Sequence, residues 1–272
     1  MSQLEAKARE IRGMILDQVF AFKNGHIASA FSCVEILLAL YWRVLKVKAA
    51  NPQWEDRDRF ILSKGHGVSA LHAILADLGF FPKEYLTAPQ NGNILGGHTI
   101  WRVPGIDWST GSLGHGLAVA AGMALAAKID KKDYRVFCLL GDGELQEGSV
   151  WEAAMFAAHH KLNNLVVLVD RNNHQSCGET EYIVSLRPLM AKWEAFGWYT
   201  AAIDGHDFSA LVDGFGPPYH LHKPYHLHKP FACIASTIKG RGVSFVEADS
   251  KWHTSIPTEE ELLAAKKELG LI

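Results

Sequence analysis

Two apolar runs separated by a helical pattern constrain this chain more than any other feature. The run RVFCLL (residues 135–140) and the run LVVLVD (residues 165–170) flank the amphipathic segment SVWEAAMFAAHHKL (residues 149–162). Strands that are apolar at nearly every position are buried on both faces, and that is typical of parallel sheets covered by helices. The spacing therefore predicts a β-α-β unit in which both strands end at the same edge of the sheet.

The same alternation of strand and helix patterns continues along the chain. It predicts an α/β fold, doubly wound, with a mainly parallel sheet and helices on both faces. We expect residues 1–272 to form a single domain that ends in a tail helix, where Thr258 and Glu261 have the spacing of a capping box. The early part of the chain, residues 2–47, is predicted to be helical. Further strands are predicted at residues 59–63, 198–204 and 231–237, and further helices at residues 69–79, 114–129, 186–197, 207–215 and 258–269.

Composition argues against several classes of protein. A net charge of −2 over 272 residues gives no electrostatic reason to bind nucleic acid or an anionic membrane. No apolar run approaches the roughly 20 residues that a membrane-spanning helix needs. The N-terminus lacks a signal-peptide core, and the four cysteines show no CxxC spacing. We therefore expect a soluble cytoplasmic protein with reduced thiols.

Polar residues follow both of the central apolar runs directly. Asp142, in Gly-Asp-Gly, follows the first, and Asn172, in Asn-Asn, follows the second, thirty residues later. Because adjacent strands lie about 4.8 Å apart, one cation could contact both side chains. Hard oxygen ligands favour Mg²⁺, which keeps phosphate oxygens and water in its shell. Either motif alone would indicate an ordinary turn, but the pair at one crossover spacing favours a magnesium diphosphate site.

A hexapeptide repeat, PYHLHKPYHLHK, occupies residues 218–229. Its His-x-His pairs could hold a metal, but two-residue spacing alone fixes no coordination geometry. The prolines and the lack of a helical pattern favour a surface loop.

The motifs GDG and NN, thirty residues apart, resemble the thiamine diphosphate motif. The longer stretch GDGELQEGSVWEAAMFAAHHKL is similar to transketolases, and especially to the N-terminal subunits of split transketolases. The resemblance extends through FKNGHIASAFSCVEILLALYW, RFILSKGHGVSALHAIL, GGHTIWRVPGIDWSTGSLGHGLAVAAGMALAAK and TIKGRGVSFVEADSKWH, in the order of the family. It implies the thiamine diphosphate-binding fold and, within it, the domain that binds the diphosphate.

The resemblance also implies a cofactor site. It makes Asp142, Asn172 and the backbone carbonyl of His174 the ligands of Mg²⁺, for which Ca²⁺ or Mn²⁺ could substitute. The remaining residues implied to contact thiamine diphosphate are His66, Gly111, Leu113, Gly143, Glu144 and His253, together with Asn172.

Four histidines carry the chemistry that the resemblance implies. His66 and His253 are expected near the diphosphate and the reaction centre. His98 is expected to hold the terminal hydroxyl of the donor, and His26 to assist proton transfer to or from bound sugar. Imidazole suits these steps because it both gives and takes protons near neutral pH.

Several features depart from the family's usual pattern, among them GHIAS, which lacks the frequent Gly-Gly or Pro-Gly continuation. His115 stands where full-length transketolases commonly have Gln, Ser176 where an apolar residue commonly flanks the cofactor, and Cys177 where an acidic residue is common. These departures leave the predicted metal site intact and concern the fit of substrate and of the thiazolium.

The resemblance further implies a partner. We expect the pyrimidine-binding domain on a separate chain, a C-terminal transketolase subunit, in an α2β2 heterotetramer. Glu147 and Glu152 correspond to carboxylates near the family's subunit interface; the alternative is that both are solvated helix residues.

The activity implied is transfer of a two-carbon ketol unit from a ketose phosphate to an aldose phosphate. Three other hypotheses stay open: the same reaction on a sulfonated or branched sugar, a synthase that joins pyruvate to an aldehyde, and a non-catalytic binding module.

Overall fold

A parallel sheet forms the centre of the computed structural model, which describes residues 2–89, 94–215 and 228–272. Within those ranges the sheet has five strands in the order β1-β2-β3-β5-β4, and every neighbouring pair is parallel. This confirms the predicted fold class. The strands are β1 (Arg59–Leu62), β2 (Val136–Gly141), β3 (Leu165–Arg171), β4 (Tyr199–Asp204) and β5 (Phe231–Ser236).

Successive side chains of a strand point to opposite faces of the sheet. Because nearly every position of the central strands is apolar, both faces of the sheet are apolar. In β2, Phe137 and Leu139 join one core, whereas Val136, Cys138 and Leu140 join the other. The first core is covered by α1 (Ser2–Phe22), α2 (Ile27–Phe31), α3 (Val34–Ala39), α4 (Val68–Asp77), α9 (Phe208–Phe215) and α10 (Glu259–Glu268). The second is covered by α5 (Gly116–Ile129), α6 (Gly148–His159) and α8 (Leu189–Ala195); α7 (Thr180–Ile183) follows β3.

The register of the central strands brings their carboxyl ends to the same level. Gly141 of β2 lies opposite Asp170 of β3, and the next backbone N–H, that of Asp142, donates to the Asp170 carbonyl at 3.3 Å. The residues that follow β2 and β3 therefore share one edge of the sheet, as the crossover spacing predicts.

Close packing at the start of α5 fixes this helix against the end of β1. A Cβ added at Gly116 would lie 2.4 Å from the Ser63 Oγ and 2.8 Å from its Cα. Only glycine allows the helix to begin this close to the strand, so the loop before α5 is held over the carboxyl edge.

Element boundaries differ from the sequence prediction where proline or glycine intervenes. The helix predicted at residues 186–197 begins only at Leu189, after Pro188. The ring of a proline disfavours helical backbone geometry at the residue before it, so the helix does not include Arg187. The early helical region is divided near Gly25, which has a φ of +151°. It ends in a π-helical turn, Leu40–Val44.

The end of the chain follows the prediction closely. The Thr258 hydroxyl accepts from the Glu261 N–H at 3.1 Å, and the Glu261 carboxylate accepts from the Thr258 N–H at 2.9 Å, so the capping box is confirmed. The hexapeptide repeat falls almost entirely within residues 216–227, outside the described residues. In the described ranges no helix is long and apolar enough to cross a membrane.

Candidate active site

A polar cavity of about 310 Å³ opens at the carboxyl ends of β2 and β3. Ligands of open parallel α/β sheets characteristically bind at this edge. Every residue predicted to bind the metal or the cofactor lines it, and so does each of the four histidines. The lining comprises His26, Ser29, Lys64, His66, His98, Gly111, Leu113, Gly141, Asp142, Gly143, Glu144, Gln146, Glu147, Asn172, His174, Gln175, Ser176 and His253.

Asp142 is held rigidly at the end of β2. Its carboxylate accepts from the backbone N–H of Gly143 at 2.8 Å and from that of Asn173 at 2.7 Å, and the residue is 2% exposed. Burial, with a further contribution from the charge of Asp170, raises the pKa of this carboxyl to about 6. No ion pair to Asp142 occurs in the part of the chain that the structure describes. A buried carboxylate that forms no direct ion pair fits a divalent cation.

Asn172 is oriented by a buried ion pair that the sequence analysis did not identify. Lys64 and Asp170 are in direct contact, and Lys64 also donates to the Ser29 carbonyl at 2.9 Å. Burial is the largest influence and lowers the pKa of Lys64, but the charge and hydrogen bond of Asp170, together with Cys33 and Asp142, outweigh burial and raise that pKa above its ordinary value. The Asn172 amide nitrogen faces the Asp170 carboxylate at 3.4 Å, and the amide oxygen accepts from the His174 N–H at 3.1 Å.

Glu144 connects three segments beneath the cavity. One carboxylate oxygen accepts from the Ser63 hydroxyl and from the Gly114 N–H at 2.9 Å, and the other accepts from the Gly141 N–H at 3.1 Å. Burial raises the pKa of this carboxyl. Glu144 therefore holds the loop that carries Gly111 and Leu113 against the end of β2, in addition to lining the cavity.

The four histidines come from four separate segments and meet around His26. The ring of His26 lies 5.5 Å from that of His66, 5.6 Å from that of His98 and 5.2 Å from that of His253, measured between centroids. His98 is exposed at the mouth of the cavity, and a Cβ on Gly111 would lie 3.2 Å from its ring. The buried Nδ1 of His26 has no hydrogen-bond partner among the described residues.

Burial keeps the inner histidines neutral. It is the main cause that lowers the pKa of His26 and of His253 to about 4 each, and it lowers that of His66 well below its ordinary value. The positive charge of Lys64 adds to the effect at all three rings. Three uncharged imidazoles at one cavity can accept hydrogen bonds from hydroxyl groups near neutral pH.

Lys239 is the most informative residue that sequence reasoning missed. It is 1% exposed, and its ammonium donates to the Gln175 carbonyl at 2.9 Å and contacts the His253 Nδ1 at 3.3 Å. Burial, followed by the charge of Lys64, lowers its pKa to about 8. Within the described ranges no carboxylate pairs with it. The signal was its place in TIKGRGVSFVEADSKWH, the segment that also carries His253.

The remaining predicted positions lie around the rim or beyond it. Glu147 is exposed, precedes α6 and lines the cavity, whereas Glu152 is exposed on α6 and does not line it. Ser176 lines the cavity and the exposed Cys177 follows it. His115 is the N-cap residue of α5 and lies outside the cavity.

Fold and cavity together define the class: an α/β domain with a ligand cavity at the carboxyl edge of a parallel sheet. Residues 4–272 match the family described as transketolase, thiamine diphosphate binding domain. The chain belongs to this family and comprises its thiamine diphosphate-binding domain.

Full-length similarity extends to subunits of split enzymes. The chain is 42% identical over 268 residues to one subunit of the apulose-4-phosphate transketolase of Phocaeicola vulgatus, covering 98% of this chain and 94% of the relative. It is 41% identical over 268 residues to the SqwG subunit of the 6-deoxy-6-sulfo-D-fructose transketolase of a Clostridium species, covering 98% and 96%.

Undivided transketolases are similar over part of their length. Human transketolase is 38% identical over 255 residues, which cover 93% of this chain and 40% of the human protein. The crystal structure of Campylobacter jejuni transketolase superimposes with a TM-score of 0.90 at 30% identity, covering 99% of this chain and 43% of that one.

Proposed function

We propose that this chain is the N-terminal subunit of a split transketolase that transfers a two-carbon ketol unit from a ketose phosphate to an aldose phosphate. The observation that carries the proposal is the meeting of four histidines from separate segments at the cavity that Asp142 and Asn172 line. A turn or a structural polar cluster needs no such set, whereas transfer between polyhydroxylated sugars needs several neutral proton acceptors near the reacting atoms.

Oxygen ligands at the sheet edge would hold the cofactor's metal. Asp142 and the Asn172 amide oxygen, with the His174 carbonyl, would bind Mg²⁺, or Ca²⁺ or Mn²⁺ in its place. Lys239, His66 and His253 would face the diphosphate. The rest of the cofactor would contact Gly111, Leu113, Gly143 and Glu144. Glu144 would also hold the 111–114 loop in place.

When bound, thiamine diphosphate would supply the electron sink for cleavage of a carbon-carbon bond. The chain's own residues would orient the sugars and move protons. His98, at the mouth, is placed to hydrogen-bond the donor's terminal hydroxyl. His26, neutral and with an unpartnered buried nitrogen, is placed to take a proton from a sugar hydroxyl.

Two classes of donor sugar are candidates. An unmodified ketose phosphate, as in the pentose phosphate pathway, is the first donor to test. Modified sugars are the second candidate, because two relatives covered over 94% and 96% of their length are named for apulose 4-phosphate and for 6-deoxy-6-sulfo-D-fructose.

A partner subunit completes the proposed enzyme. The relatives of matching length are named as subunits, and this chain spans about 40% of human transketolase. We infer an α2β2 assembly with a C-terminal, pyrimidine-binding subunit, in which the exposed Glu147 and Glu152 lie at the interface. Four cysteines without a disulfide agree with a cytoplasmic location.

Reconstitution tests the proposed function. The chain would be purified alone and with the pyrimidine-binding subunit from the same organism, and each preparation assayed with thiamine diphosphate and Mg²⁺ on three donors: an unmodified ketose phosphate, apulose 4-phosphate and 6-deoxy-6-sulfo-D-fructose. We expect ketol transfer from the pair only. Full activity of the chain alone would contradict the need for a partner. Cofactor binding by the pair without turnover of any donor would favour the non-catalytic module.

A further inference from the structure

His206 lies outside the cavity, on the turn after β4, yet both of its ring nitrogens are engaged. The Nδ1 lies 3.0 Å from a carboxylate oxygen of Glu35, and the backbone N–H of Ile238 donates to the Nε2 at 2.9 Å. Because the Nε2 accepts a hydrogen bond from a backbone N–H, the ring proton must sit on the Nδ1, from which it is donated to Glu35. His206 thus joins α3 to the segment that follows β5.

The Glu35 carboxylate, which accepts from His206, is itself held in a buried ion pair. Arg12 of α1 donates two hydrogen bonds to the Glu35 carboxylate, of 2.8 and 2.9 Å, and one to the Phe31 carbonyl, of 3.1 Å. Burial raises the pKa of Glu35, but Arg12 and His206 outweigh burial and lower it to about 2. The carboxylate is therefore a fixed, charged acceptor for the His206 ring.

The Ile238 end of the connection precedes Lys239 directly. Other bonds anchor the segment on either side: the Thr237 N–H donates to the Arg171 carbonyl at 3.1 Å, and the Gly240 N–H donates to the Ala28 carbonyl at 3.0 Å. The Ile238 side chain is 37% exposed, so its packing is incomplete. The Ile238 carbonyl accepts from the Arg241 N–H at 3.2 Å, and the Ile238 N–H, next to the buried lysine, donates to the imidazole of His206.

We propose that His206 is a positioning residue for the cofactor site: through the Ile238 N–H it fixes the backbone that places the Lys239 ammonium against Gln175 and His253, which line the cavity. This inference rests on the proposed function, because Lys239 matters to the reaction only if an anionic cofactor binds there. His206 is not among the residues that line the cavity, and it acts through Lys239.

Two substitutions distinguish the two hydrogen bonds of the imidazole, the one to Glu35 and the one from Ile238. In His206→Asn the side-chain amide keeps a donor near the Nδ1 position for Glu35 but is too short to accept from Ile238. In His206→Gln the amide oxygen reaches the position of the Nε2 and keeps that acceptor. Thiamine diphosphate affinity would be measured by titration calorimetry on the complex with the pyrimidine-binding subunit, in Mg²⁺.

We expect His206→Asn to weaken thiamine diphosphate binding about five-fold, the effect of one net hydrogen bond, and His206→Gln to bind within about two-fold of the wild type. The decisive readout is a double-mutant cycle with Lys239→Met. Because His206 acts through Lys239, His206→Asn should have no further effect on affinity in the Lys239→Met background. A merely structural role would weaken binding equally in both backgrounds.

The outcomes distinguish this inference from the proposed function. Wild-type affinity in His206→Asn, or an equal loss in both backgrounds, overturns the role of His206 while the cofactor site stands. Absence of thiamine diphosphate binding by the wild-type complex overturns both. Should His206→Asn fail to fold, His206→Phe, which keeps a ring but no acceptor, takes its place in the same cycle.

Discussion

Asp142 and Lys239 are buried groups of opposite charge, and neither has an ion-pair partner among the described residues. An unpaired charge in the interior is destabilising, so natural proteins seldom keep one without a ligand to match. A diphosphate with a bound metal ion has a charge to match each residue: the cation would pair with the carboxylate, and the phosphate anion with the ammonium. The two residues therefore indicate the charge distribution of the ligand more specifically than either does alone.

His26 gives a pH-dependent prediction at the residue scale. Its pKa is about 4 in the folded chain, against an ordinary value of 6.5, so between these values the unfolded state binds the proton and the folded state does not. The contribution of His26 to the stability of the cofactor-free chain should therefore rise with pH from 4 to 6.5. Removing the imidazole should reduce the gain between pH 5 and pH 8 by on the order of 1 kcal/mol, after allowance for the solvated part of the ring.

Urea unfolding of the cofactor-free chain and of His26→Asn at pH 5 and pH 8 measures this difference. His115→Asn is the matched control, because His115 is exposed and lies outside the cavity. An unchanged pH dependence in His26→Asn would show that the imidazole is not held neutral by burial.

Sequence reasoning reached the residues that periodicity or family motifs single out. The sequence predicts Asp142 and Asn172 as site residues because they come after two strands that are separated by one β-α-β crossover. The structure shows that both residues line the cavity. Lys64, Asp170 and Lys239 were missed because an isolated lysine or aspartate in a sequence usually indicates a solvated side chain. Only tertiary contacts, made across 106 positions between Lys64 and Asp170, show that these charges are buried.

At the scale of elements, the distance between α5 and β1 determines where the loop over the cavity sits. Gly116 contacts Ser63, and the Ser63 hydroxyl donates to Glu144, which in turn holds the Gly114 N–H. The helix start, the strand end and the cavity floor are therefore one connected unit, and a side chain at Gly116 would disturb all three.

Two alanine substitutions on the same helix test this packing. Gly116→Ala should destabilise the chain by about 1–3 kcal/mol, because its Cβ would meet the backbone of Ser63. Gly122→Ala is the control: a Cβ there meets nothing within 4 Å, so helix propensity should make it neutral or stabilising by up to about 1 kcal/mol. Thermal and urea unfolding compare the two. Equal stability of both variants would contradict the close approach.

Elements were predictable where burial imposes a clear pattern. The apolar runs of β2 and β3 gave strands whose predicted and observed limits differ by one residue, since both faces of these strands are covered. The start of α8 was misplaced by three residues because Pro188 outweighs the helical pattern before it. The division between α1 and α2 was missed because one glycine in an apolar region gives a weak local signal.

At the scale of the whole molecule, the cavity lies at the surface of the chain, with His98 and Glu147 exposed at its rim. A cofactor bound there would leave part of its surface outside this chain. That geometry agrees with relatives that are named as subunits, and it supports the proposal that a second polypeptide closes the site.

We propose that Asp142 and Asn172 hold one divalent cation that anchors a diphosphate. Thiamine diphosphate titration of the complex, wild type against Asp142→Asn, in Mg²⁺ and in EDTA, tests it most directly, with thermal unfolding as the check on folding. We predict that EDTA weakens wild-type binding by about ten-fold or more, the scale of a lost charge-assisted contact, and leaves the already weak binding of Asp142→Asn unchanged. Wild-type affinity and full Mg²⁺ dependence in Asp142→Asn would contradict the claim.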